Sequence, residues 1–118
     1  MSNAMITVSE NAEFIAQAKG ILSEQEISDT ITMIAANPMC GDLIRGTGGI
    51  RKVRVALSGR GKSGGARVVY YFRNADMPIY MLAVFAKNEK DNLSNSDRNH
   101  LKKFVEATVT NWKKRHAK

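Results

Sequence analysis

Cysteine, proline and aromatic side chains are all scarce in this 118-residue chain: one Cys, two Pro, and 7% Phe, Trp and Tyr together. A single cysteine excludes an internal disulfide framework, and Cys40 has no neighbouring Cys or His at metal-ligand spacing. No apolar run approaches the ~20 residues that a membrane-spanning helix needs, and no secretory signal pattern opens the chain. Neither an HExxH pair nor a paired-carboxylate motif is present. These absences predict a cytoplasmic protein with no membrane partner, no metal site and no cofactor. Met1–Ala4 (Met-Ser-Asn-Ala) reads as a leftover of cloning, which gives a single domain over residues 5–113 and a basic tail over 114–118.

What is present is positive charge, unevenly spread. The net charge of +7 divides into −5 over residues 1–44, +8 over 45–90 and +4 over 91–118. An acidic first third joined to a basic middle points to one surface facing a polyanion. A merely solvated basic face is the plainer alternative.

Hydrophobic periodicity predicts an α+β fold. Ile6–Val8 is a short β-prone run. Asn11–Lys19 places Phe14, Ile15 and Ala18 on one helical face, with Gly20 as the stop. Ser23 and Glu26 form a capping-box pair at the head of a second helix, which Asn37-Pro38 ends. The two helices should pair as a hairpin packed on a small antiparallel β-sheet. From Gly46-Thr47-Gly48-Gly49 the period changes to two, giving strands over 50–57, 66–73 and 79–86, the last apolar on both faces and therefore central. Ser94, with Asp97 three residues on, caps a C-terminal helix whose apolar stripe is Leu101, Phe104, Val105, Thr108 and Trp112.

The candidate chemistry lies on the sheet. In Ile50–Leu57, Val53, Val55 and Leu57 share one face, and Lys52 and Arg54 point to the other. Two cations on one strand face repel mildly, which an anion across that face would relieve. Arg67 sits within an apolar run, either as a strand-edge residue or with its guanidinium on a phosphate or carboxylate. Tyr71 shares Arg67's face and could stack on a base, whereas Tyr70 belongs to the core. The intervening segment with Arg60 and Lys62 suits a phosphate backbone. Its Gly-Lys-Ser is no P-loop, because Ala56 occupies the first glycine position and strands flank it. His100 and His116 read as surface residues. Any catalysis therefore rests on Lys, Arg, Tyr and Glu89.

Three blocks in order, Gly46–Arg54, Gly61–Tyr71 and Phe85–Ser94, resemble the HigB branch of the RelE-like toxins, with a likeness extending over residues 5–113. The resemblance implies a RelE-like fold and the toxin of a type II toxin–antitoxin pair. It implies an endoribonuclease that cuts mRNA in the ribosomal A site, inhibits translation and is neutralised by a HigA-like helix-turn-helix antitoxin. Carried over, Lys52 and Arg54 match the paired basic positions of the first long strand, Arg67 the strand arginine, and Lys87 the lysine after the last strand. Asn88 stands where better-known members have Arg, and Ser94 near their catalytic-region Tyr. Resemblance and residue chemistry together give an expected catalytic set of Lys52, Arg54, Arg67, Lys87 and Glu89, with Arg51, Arg60, Lys62, Tyr71, Asn88 and Lys90 contacting RNA. Lys52 or Lys87 would act as base, since neighbouring cations favour a neutral lysine; Glu89 is the rival. A non-catalytic nucleic-acid- or ribosome-binding domain, including a degenerate toxin, is the competing class, because phosphate binding asks only for charge.

Overall fold

The computed structural model describes residues 6–57, 65–87 and 93–116. Five strands form one sheet in the order β1-β5-β4-β3-β2: β1 (Val8–Glu10), β2 (Asp42–Leu43), β3 (Ile50–Val55), β4 (Ala66–Tyr71) and β5 (Ile79–Ala86). Three helices accompany it: α1 (Ala12–Ile21), α2 (Glu24–Ala36) and α3 (Asn95–His116). The α+β architecture, with a leading helical pair and a closing helix, is as the periodicity predicts.

Local chemistry accounts for the helix starts. The Asn11 side chain accepts the Phe14 N–H at 2.7 Å and caps α1. At α2, the Ser23 hydroxyl accepts the Glu26 N–H at 3.1 Å and the Glu26 carboxylate accepts the Ser23 N–H at 2.8 Å, the reciprocal pair foreseen. Ser94 and Asp97 repeat this arrangement ahead of α3. Gly20 does not stop α1; it lies within the last turn, and Leu22 is the C-cap. Glycine costs about 1 kcal/mol there relative to alanine, which packing of Phe14, Ala18 and Leu22 overrides.

The β-prone run at Ile6–Val8 corresponds to β1, which lies two residues further on, whereas the two-residue β2 escaped the sequence reading. β1 pairs parallel with Ile79–Met81, so the antiparallel sheet gains one parallel edge. Where β1 ends, the Gln17 side chain takes over, its Oε1 accepting the Val84 N–H at 2.9 Å. β4, not β5, is therefore the middle strand, although β5 is buried on both faces as expected.

The sheet separates two cores. The α1/α2 side holds Phe14, Ala18, Leu22 and Ile34 against Val68, Tyr70, Met81 and Val84, with Val53 and Val55 packed alongside. The other side holds Ile50, Val69, Tyr71, Leu82, Ala83 and Phe85 under Leu93, Leu101 and Val105. The buried line of α3 runs Leu101, Val105 and half-buried Val109, which is rotated from the stripe predicted. Phe104 remains 36% exposed, and Trp112 instead stacks on His116, ring centroids 4.2 Å apart.

Candidate nucleic-acid interface

The register of β3 on β4 builds the site. Arg54 lies directly opposite Arg67, Lys52 opposite Val69 and Ile50 opposite Tyr71. Directly opposed residues share a face, and like charges in that position destabilise a sheet. Val53 and Val55 belong to the α1/α2 core, and Ile50, Val69 and Tyr71 to the α3 core. Alternation thus puts Lys52, Arg54 and Arg67 on the α3 side. The residues of α3 buried on that side, Leu101 and Val105, pack with Ile50, Tyr71 and β5, leaving Arg54 exposed and Lys52 and Arg67 half-buried.

Gly65 joins the strands at this end. Its φ is +57°, and a Cβ there would drive into the Val55 carbonyl, so only glycine fits. The Gly65 carbonyl accepts the Lys87 N–H at 3.0 Å. Lys87 therefore stands one step past the Ala66–Ala86 pair, and alternation with Phe85 carries it toward the face of Arg67. Across the other edge, Asp42 of β2 is opposite Lys52. That carboxylate beside the cations was not legible beforehand, because a two-residue strand has no periodicity.

Two residues expected at RNA have structural work instead. Arg51 points to the α1/α2 side, where its guanidinium donates to the Gly41 carbonyl at 2.6 Å and the Met39 carbonyl at 3.3 Å. Beside it the Tyr70 hydroxyl donates to the Pro38 carbonyl and accepts the Gly41 N–H, each at 2.8 Å. Gly41 is required here: a Cβ would sit 2.9 Å from the Tyr70 ring. Burial pushes the Tyr70 phenol well above its ordinary value of 10.0. Arg51 and Tyr70 thus pin the segment after α2 to the sheet. Tyr71 is on Arg67's face, as alternation required, but it is only 4% exposed, packed against Gly49 and within the α3 core. Its ring is not available as an open stacking platform.

Arg60, Lys62, Asn88, Glu89 and Lys90 lie outside the described residues. Among those described, no group of three His, Cys, Asp or Glu side chains could hold a metal ion, and no helix is long and apolar enough to cross a membrane.

The structure is thus a small α+β domain whose sheet brings two opposed arginines and a lysine to one face. The family described as the RelE toxin of the RelE/RelB toxin–antitoxin system matches residues 7–117, and the chain belongs to that family. Its toxins are ribosome-dependent endoribonucleases that inhibit translation and have an antitoxin partner. Among solved structures, a double arginine-to-alanine mutant of the E. coli toxin RelE in the free state is similar, at 13% identity and a TM-score of 0.54. The match covers 75% of this chain and 90% of that one, which supports the shared fold.

Proposed function

We propose that this chain is an active, ribosome-dependent mRNA endonuclease of the HigB branch, neutralised by a HigA-like helix-turn-helix antitoxin. The observation that carries the proposal is the Arg54–Arg67 cross-strand pair beside Lys52 on the uncovered half of the sheet. Cleavage by 2′-OH attack has three requirements: a proton leaves the 2′ oxygen, charge on the phosphorane is stabilised, and a proton reaches the 5′ oxygen. Arg54 and Arg67 clamp the scissile phosphate, supplying fixed positive charge where negative charge develops. Lys52 or Lys87 takes the 2′ proton, a role that neighbouring cations favour by destabilising the protonated amine; Glu89 is the alternative base. Protein side chains alone carry the reaction, without a metal ion. The ribosome supplies proximity by ordering the mRNA at this site.

Primer extension on a translated mRNA tests this. The purified chain should cut that message and spare the same RNA free in solution; rapid, indiscriminate cleavage of free RNA would remove the ribosome from the account.

Ser94 favours one competing reading. Its hydroxyl is engaged by the Asp97 N–H at 3.0 Å, so the position near which better-known members carry tyrosine serves helix capping here. A degenerate toxin would bind RNA through the same cations without cutting it. Expression separates the two: the nuclease arrests growth unless its antitoxin is co-expressed, and the binder is tolerated.

A further inference from the structure

At the far end of the same sheet face, a cleft opens between the Gly46–Gly49 loop, the chain just past β4, and α3. Tyr71, Arg73, Lys102, Val105, Glu106 and Val109 are among its lining residues, and three kinds of surface meet there. Tyr71 and Val105 border it as nearly fully buried side chains, and half-buried Val109 adds accessible apolar surface. Arg73 and Lys102 bring positive charge from two different elements. Glu106, one turn past Lys102 on α3, brings a single carboxylate. Arg73, Lys102 and Glu106 are all exposed, and none has a hydrogen bond or ion pair with another of the described residues. Two cations and a carboxylate thus border one cleft.

We propose that this cleft is a nucleotide subsite that holds one base of the single-stranded RNA flanking the cut and reads its hydrogen-bonding edge. The proposal rests on the RNA reading of the sheet face. Tyr71 is four residues from Arg67 along β4, about 13 Å at the rise of a strand, so a chain clamped at Arg54 and Arg67 reaches the cleft within a few nucleotides. The apolar surface of Val109 suits the face of a base, and Arg73 and Lys102 suit its phosphate. Glu106 is an acceptor only, so it takes hydrogen bonds from the exocyclic amino groups of adenine, cytosine or guanine, whereas uracil offers it only N3–H between two carbonyl oxygens that repel it. The carboxylate is what distinguishes a base-reading site from a purely electrostatic one, where a third cation would serve better.

Two measurements test it, on the full chain. In the first, short non-cleavable 2′-O-methyl oligoribonucleotides are titrated while the NMR signals of Val105 and Val109 are followed. Oligonucleotides bearing amino bases at every position should shift these signals at lower concentration than oligouridylate, and Glu106→Gln, whose amide both donates and accepts, should remove the difference. In the second, cut sites are mapped across translated messages. One position flanking the cut should disfavour uracil by about tenfold, the worth of a good base-edge contact, and Glu106→Gln should flatten that position alone. Shifts confined to the Lys52, Arg54 and Arg67 face, or an unchanged cut-site pattern in Glu106→Gln, would overturn the subsite and leave the nuclease reading standing. Cleft shifts in a chain that cuts no message would support the subsite and overturn the nuclease reading.

Discussion

The two faces of the sheet are made by the same strands and have opposite characters. On the α1/α2 side every inward position of β4 is apolar or, as with Tyr70, has its polar atom fully engaged, and Val68 and Tyr70 are completely buried. On the α3 side, among the described residues, the roof stops partway, and what lies beyond it is Lys52, Arg54 and Arg67. The first face contributes stability at about 1.5–3 kcal/mol per buried large side chain. The second spends some of it, since opposed arginines repel. A sheet that places like charges directly opposite one another, where a polar or apolar pair would be more stable, gains cohesion when an anion lies across them.

Variants on the two faces should therefore separate stability from activity. The largest effect belongs to the covered side: Phe14→Ala removes a fully buried ring and should cost about 3–5 kcal/mol in urea unfolding. If the chain retained wild-type stability, the α1/α2 core would not be the main source of cohesion. Next, Arg67→Ala should lose about 10²–10³-fold in cleavage of translated mRNA, the usual cost of one oxyanion-stabilising donor. Smaller is Tyr70→Phe, which strands the buried Gly41 N–H and should cost about 1–3 kcal/mol. That phenol also sets a pH dependence. Its folded value is raised above the unfolded 10.0, so its contribution is complete below pH 10 and is lost as pH climbs beyond it. Alkaline titration of unfolding should show a wild-type decline above pH 10 that Tyr70→Phe lacks. Smallest, Arg54→Gln should leave stability unchanged or raise it by about 0.2–1 kcal/mol while cleavage falls, because it relieves a like-charge pair. A destabilised Arg54→Gln would mean that the pair is satisfied within the protein.

Much of this contrast was legible in the chain. Alternation in Ile50–Leu57 separated Val53 and Val55 from Lys52 and Arg54 correctly, and the capping boxes at Ser23 and Ser94 marked two helix starts. What alternation cannot supply is register, so the direct opposition of Arg54 and Arg67 emerged only in three dimensions. The two-residue β2 and the parallel pairing of β1 were invisible for a related reason: both are defined by what they pair with, not by their own pattern. Arg51 illustrates the limit most clearly. Charge alone grouped it with its neighbours Lys52 and Arg54, yet the pleat sends it to the opposite face, where backbone carbonyls of the segment after α2 engage it. Tyr71 is the converse case, placed on the right face but covered by packing that local sequence does not encode.

The central claim is that the uncovered half of the α3 face performs the chemistry. Steady-state cleavage of a translated mRNA by Arg67→Ala, with its thermal melting recorded on the same sample, tests this most directly. The account predicts near-complete loss of cleavage at wild-type melting temperature; wild-type cleavage by a fully folded Arg67→Ala would contradict it.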